Sequence, residues 1–154
     1  MIAKPTTQQL IDAVCTELGA RVAPALTDPT ARLVLDMAMA VLKGVGVRSA
    51  NELAWMREEA DAIEAVARQF VTELPDAHQL EEALQGYLNL KSDSRYLTQA
   101  EEEYESAGEV LSRAVEAAYA DGDPDRKQAV RALIDQRMAN EFAIIGRYVG
   151  VGRG

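Results

Sequence analysis

Two stretches of the chain repeat apolar residues at alternating spacings of three and four positions. This spacing keeps one stripe of a helix apolar over about six turns, and long helices pack along such stripes at shallow angles. The pattern predicts an all-α protein, an antiparallel helical bundle. We call the two stripes the first and second seam: Leu53, Met56, Ala60, Ile63, Ala67, Phe70 and Leu74; and Leu97, Ala100, Tyr104, Ala107, Leu111, Ala114 and Ala118.

The length and composition fit one such bundle. A chain of 154 residues with 48% apolar and only 5% aromatic residues has the size of a common single domain and favours helices over sheets. We expect one helical-bundle domain over residues 1–145. Residues 146–154 hold four of the ten glycines and are expected to form a flexible tail.

Capping residues and breakers divide the chain into about six predicted helices. The breakers are Pro24 and Pro75, and we expect Gly44 and Gly46 to end the second helix. Helix starts are indicated by capping boxes or by acidic caps. These starts lie at Thr6, Asp28-Pro29, Ser49, Asp76, Thr98 and Asp123-Pro124.

Three further apolar faces are predicted to be buried. The run from Leu33 to Val47 is apolar almost all round, so we expect a core helix with neighbours on most sides. The first and last helices each carry one apolar face. These faces are Leu10, Ile11, Val14, Cys15, Leu18 and Val22; and Val130, Leu133, Ile134, Met138, Phe142 and Ile145.

Charge and hydropathy argue against two classes of partner. A net charge of -9 disfavours nucleic acid, since phosphate binding needs a cationic surface. The most apolar run is too short to cross a bilayer and is interrupted by Asp36 and Lys43. The single Cys15, together with a start that does not resemble a signal peptide, leads us to expect a cytoplasmic protein.

The charges are also unevenly distributed along the second half. Residues 98–123 hold eight acidic side chains and one basic side chain, Arg113, whereas residues 124–154 hold six basic and three acidic ones. We therefore expect the last helix to lie beside the acidic one, in this chain or on a partner.

No complete set of catalytic or metal-binding residues is present. The one histidine, His78, is too few for a two-metal carboxylate site in a bundle. The Asp121–Asp125 segment begins like a calcium loop but lacks its glycine and its final glutamate, and Cys15 lies on an apolar face. We expect no cofactor and a non-catalytic protein. An enzyme or small-ligand carrier stays open, and it would require a cavity ringed by polar side chains.

The candidates for partner binding are four residues. Trp55 lies just off the first seam and is expected to be partly covered, either as an aromatic anchor of a protein interface or as a residue packed at the end of the bundle. In the tail, Arg147, Tyr148 and Arg153 are the residues suited to contact a partner.

One pattern within residues 5–45 consists of Pro5, Leu10-Ile11, Val14, Val22–Leu26, Arg32 and Met37–Leu42. In these residues the chain resembles a family of small helical proteins that accompany aminoglycoside-phosphotransferase-like kinases and acyl-CoA dehydrogenases in bacterial acid catabolism, and Lys43–Gly46 departs from the family's pattern. The resemblance implies a non-catalytic accessory subunit of a kinase that acts on hydroxyacyl-CoA or a similar small hydroxylated substrate, with the phosphate chemistry supplied by the kinase. A homo-oligomer, or a protein that binds another partner, is the alternative.

Overall fold

The computed structural model describes residues 4–145, and within them every regular element is helical. The all-α prediction is confirmed. Five α-helices are present instead of six. Their bounds are α1 Thr7–Glu17, α2 Pro29–Glu73, α3 His78–Leu90, α4 Leu97–Asp121 and α5 Pro124–Ile145, and one π-helical turn, Leu18–Val22, and one 3-10 turn, Ala23–Ala25, follow α1.

Several helix ends follow the local chemistry of the sequence. Thr6 caps α1 in a reciprocal capping box with Gln9, in which each side chain accepts from the other residue's backbone N–H. Asp28 caps the start of α2 by accepting from the Thr30 N–H at 2.9 Å. At the end of α4, Gly122 adopts φ 87°, the left-handed conformation in which a side chain would be strained.

The helix count differs because the two glycines after residue 43 do not end a helix. Gly44 and Gly46 lie inside α2, which continues for 45 residues. The predicted capping box at Ser49 is absent. The Ser49 hydroxyl instead donates to the Gly46 carbonyl, and the Asn51 amide donates to the Val47 carbonyl, both bonds that fit inside a continuing helix.

Two other predicted starts are displaced by one or two residues. α3 follows Ala77 instead of Asp76, and α4 follows Tyr96, with no side-chain cap, so the predicted box at Thr98 does not form. These shifts are within the usual uncertainty of helix boundaries.

By their contacts the residues form two compact units, and α2 and α5 contribute to both. The first unit comprises residues 1–52 and 139–154, of which residues 4–52 and 139–145 are described. Here α1 packs on α2 where Gly46 offers no side chain: a Cβ there would lie 3.6 Å from Gln8 and from Ile11. Gly44 is likewise covered by the backbone of Ile144.

The second unit, Leu53–Met138, contains the main hydrophobic core. The seam predictions are confirmed for most positions. Both seams supply buried residues, joined by residues of α3 and α5 and by Ala77. Of the fourteen core residues, eight belong to the seams: Ala60, Ile63, Ala67, Phe70, Ala107, Leu111, Ala114 and Ala118. Val110, one position from the second seam, is a further core residue.

Ion pairs in this unit fix the direction of α2 against α5. Near the start of the unit, Glu59 of α2 pairs with Arg137 late in α5, at 3.2 Å. At the other end, Glu73 closes α2 and pairs with Arg126 at the start of α5, at 3.1 Å. The two helices are therefore antiparallel within residues 53–138.

The other two helices alternate in the same way. Lys91, directly after α3, reaches back to Glu64 of α2 at 2.7 Å, so α3 returns antiparallel to α2. Tyr104, early in α4, donates to Glu59 early in the α2 segment, so α4 runs parallel to α2 and antiparallel to α3. Residues 53–138 thus form an up-down-up-down four-helix arrangement, consistent with their short connections.

Candidate functional site

The four residues predicted to bind a partner fall in two places. Trp55 is half-buried on α2, in agreement with its predicted partial cover. Arg147, Tyr148 and Arg153 lie outside the described residues.

A far larger candidate surface lies on the first unit, where the structure contradicts the predicted burial. The Leu33–Val47 segment does not have neighbours on most sides. Its apolar side chains are largely open to solvent: Leu33 60%, Val34 60%, Met37 55%, Val41 67% and Val45 46%. We call these five residues the apolar surface.

The five side chains share one face of α2. At about 100° per residue, their positions fall within an arc of about 120°. The Met39 carbonyl, which accepts from the Cys15 thiol at 3.8 Å, and Gly46, which faces α1, lie outside this arc, whereas Gly44 lies within it and is covered by the backbone of Ile144. Contiguous exposed apolar residues of this kind mark interaction surfaces.

The faces predicted for the first and last helices are also only partly covered. On α1, Cys15 is buried at 7% exposure, but Leu10 and Val14 are half exposed. On α5, Val130 is buried at 1%, whereas Ile134, Met138, Phe142 and Ile145 are 38–62% exposed. The predicted burial of these two faces is therefore wrong for most of their residues.

The second unit contains a cluster of buried and half-buried polar side chains that was not predicted. The carboxylate of Glu59, 8% exposed, accepts from the Tyr104 hydroxyl at 2.6 Å and from Arg137 Nε at 3.2 Å. The Arg137 guanidinium also lies 4.9 Å from the centre of the Tyr104 ring. Burial, together with the hydrogen bond to Glu59, raises the pKa of Tyr104 to about 12.

A second buried carboxylate belongs to Glu103, which is 7% exposed. It accepts hydrogen bonds from the backbone N–H and from the hydroxyl of Ser92, in the loop between α3 and α4. Glu103 thereby holds this loop against the first turns of α4.

Lys91, beside that loop, is held by two carboxylates of α2. Its Nζ lies 2.7 Å from both Asp61 and Glu64, and these hydrogen bonds raise the pKa of Lys91. Burial alone would raise the pKa of Glu64, but hydrogen bonds from Lys91 and Arg68 outweigh burial and lower it. The lysine charge is thereby matched within the protein.

A cavity of about 210 Å³ opens between α2, α3 and α4 beside these groups. Arg57 is one of its lining residues, and the Nε and Nη2 atoms of this guanidinium are shielded from solvent without a hydrogen-bond partner. Such orphaned donors are rare in folded proteins and call for an explanation.

The sequence carried a signal for two of these groups. Glu59 lies three residues after Met56 and four before Ile63, and Glu103 has the same relation to Ala100 and Ala107. Helical phase alone therefore places both carboxylates at the seams. The hydrogen-bond partners of these two carboxylates lie 11 to 78 positions away in the chain, so the local sequence pattern does not indicate them.

The candidates for metal or nucleophilic chemistry are separate from this cavity. Among residues 4–145, no group of three His, Cys, Asp or Glu side chains is placed to hold a metal ion. His78 is exposed at the start of α3 and Cys15 is buried in the first unit. Asp121 and Asp123 flank Gly122 and pair with Arg126, as expected of a turn and helix cap.

None of the described helices is both long and apolar enough to cross a membrane. No protein-family model, curated protein or solved structure matches this sequence.

Proposed function

We propose that this chain is a non-catalytic helical interaction protein that pairs with a second copy of itself through the apolar surface on α2. The observation that carries the proposal is the exposure of five contiguous apolar side chains within one face of a helix. Leaving such a face in water costs free energy, and its burial against a partner would recover that free energy.

The free energy at stake is large enough for association. Since full burial of such a side chain is worth about 1.5–3 kcal/mol, the exposed fractions of the five leave about 4–9 kcal/mol per copy. When both partners contribute the same surface, the gain doubles to about 9–17 kcal/mol. The cost of bringing two proteins together is about 4–15 kcal/mol, so burial of the surface on both copies is of the size that association requires.

Charge also favours a second copy at this place. Residues 4–52 hold five basic and five acidic side chains, so their net charge is zero although the whole chain carries -9. Two copies can therefore bring this region together without like-charge repulsion. A twofold pair would use the same patch on both partners, and Leu33, Met37, Val41 and Val45 form a ridge at four-residue steps suited to helix packing.

The test is the oligomeric state of Val41→Glu, measured by sedimentation equilibrium at micromolar concentration. We expect the wild type to be dimeric and the variant to dimerise at least about 100-fold more weakly, because each interface would bury two unpaired carboxylates. Since Val41 is 67% exposed, the helical circular dichroism of the monomer should be unchanged.

The matched control is Leu90→Glu, the same kind of change at a leucine that is 53% exposed at the end of α3. It should leave the dimer intact. A monomeric wild type, or equal weakening by both variants, would contradict the proposal.

A second candidate is the accessory subunit of a phosphotransferase-like kinase of acyl-CoA metabolism. The observation favouring it is that residues 5–45, which carry the resemblance, also carry most of the exposed apolar side chains of the first unit. Purification from the native host should then recover an identified kinase of that fold with wild-type protein and not with Val41→Glu. Recovery of the chain alone would count against this candidate.

A further inference from the structure

We infer, on the basis of the proposed self-association, that the end of α5 completes the interface between two copies. Each copy then contributes a face made of two helices, α2 and α5, and the second copy covers both. Two side chains of α5 in the first unit carry this step beyond the apolar surface. They are Phe142 and Ile145, which are 61% and 62% exposed.

The end of α5 lies directly beside the apolar surface. A Cβ at Gly44 would lie 2.8 Å from the backbone oxygen of Ile144, so α5 touches α2 at this position. At about 100° per residue, Gly44 falls about 20° around the helix from Leu33, near one edge of the arc that holds the five exposed side chains. α5 therefore flanks the arc at the level of Gly44, and Val41 and Val45 stay exposed next to it.

The exposed side chains of α5 point to the same side as the apolar surface. α2 and α5 are continuous helices that run antiparallel, so along one viewing direction their residues turn in opposite senses. On a scale on which the arc spans about 0–120° from Leu33 to Val45, and with Ile144 directed at α2, Phe142 and Ile145 are directed at about 40° and 100°. The two helices thus present one continuous apolar face.

A face of two helices suits a second copy better than α2 alone. In exposed fraction, Phe142 and Ile145 add about two-fifths to the five residues of the apolar surface. Association must offset a large loss of translational and rotational freedom, and this additional burial helps to offset it. Two such faces packed together form a four-helix interface. Because both copies use the same patch, the assembly closes at two copies.

The first test is sedimentation equilibrium of Phe142→Glu at micromolar concentration. We expect the variant to dimerise at least about tenfold more weakly than the wild type, because each interface would bury two carboxylates without partners. The matched control is Tyr119→Glu, the same change at an aromatic side chain that is 63% exposed near the end of α4 in the second unit. It should dimerise as the wild type does.

The second test needs no substitution, so it decides even if Phe142→Glu fails to fold. In dimers of one isotope-labelled and one unlabelled copy, isotope-filtered nuclear Overhauser spectra should connect the Phe142 ring to methyl groups of the other copy. Contacts of the ring to its own copy alone, including residues 146–154, would overturn the inference, since the chain would then cover its own α5.

The outcomes separate this inference from the proposed function. If Val41→Glu weakens the dimer while Phe142→Glu folds and pairs as the wild type does, the inference is wrong and self-association through α2 stands. If the wild type is a monomer, the proposed function itself is contradicted. Weakening by both variants, with an unchanged Tyr119→Glu, is the result that we expect.

Discussion

The two glycines inside α2 give opposite predictions for the same substitution. Gly44→Ala and Gly46→Ala each replace a helix-interior glycine, which by itself stabilises a helix by about 0.8–1.0 kcal/mol. The surroundings differ. A Cβ at Gly46 would meet Gln8 and Ile11 at 3.6 Å, an ordinary contact, whereas at Gly44 it would lie 2.8 Å from the backbone oxygen of Ile144.

The expected magnitudes follow from these distances. Gly46→Ala should raise the free energy of unfolding by about 1 kcal/mol. At Gly44 the clashing atom belongs to the backbone and cannot rotate away, so α5 would have to shift. Overpacking of this kind costs about 1–3 kcal/mol, which cancels or exceeds the helix gain. The two variants should therefore differ by about 1–3 kcal/mol.

The assay is urea unfolding followed by far-ultraviolet circular dichroism. With a slope of about 2 kcal/mol per molar urea, the midpoints of the two variants should lie about 0.5–1.5 M apart. Gly108→Ala is the control, because no atom lies within 4 Å of its added Cβ on α4, and it should stabilise as Gly46→Ala does. Equal stabilisation by Gly44→Ala and Gly46→Ala would refute the packing of α5 against α2 at Gly44.

Two further predictions concern the core and the polar cluster. Phe70→Ala and Leu111→Ala change side chains that are 1% and 6% exposed, and each should lower the free energy of unfolding by about 2–5 kcal/mol. Phe142 is 61% exposed, so Phe142→Ala should lower the free energy of unfolding of the dilute monomer by about 1 kcal/mol or less. Similar losses for Phe70→Ala and Phe142→Ala in urea titrations would contradict the burial of Phe70. The pKa of Tyr104 is raised from 10.0 to about 12, so its contribution to the free energy of unfolding is complete below pH 10 and is lost as the pH rises through about 12. Tyr104→Phe should remove this component of the pH dependence of the free energy of unfolding. An unchanged pH dependence in this variant would count against the hydrogen bond from Tyr104 to Glu59.

Most of the candidate site could not be read from the sequence. The periodicity of Leu33–Val47 was visible, but whether a neighbour covers it depends on the rest of the chain, and exposure turned a predicted core into a candidate interface. Arg57 lines a cavity together with residues of α3, α4 and the loop between them, which its position in the sequence does not indicate. Trp55 was placed correctly at the edge of its seam because its position depends only on helical phase.

The sequence by itself determined the helical class, the start of α1, α2 and α5, and the burial of nine of the fourteen seam residues. Capping, proline geometry and the 3.6-residue repeat act over a few neighbouring residues. The caps at Thr6 and Asp28 and the seam position of Phe70 could therefore be predicted from the local sequence. Tertiary structure decided the surroundings of Gly44 within α2, because the backbone of α5 at Ile144 packs where a side chain would lie. It also brought Glu59 to Tyr104 and Arg137, 45 and 78 positions away, since pairing at such separation depends on how whole helices are arranged.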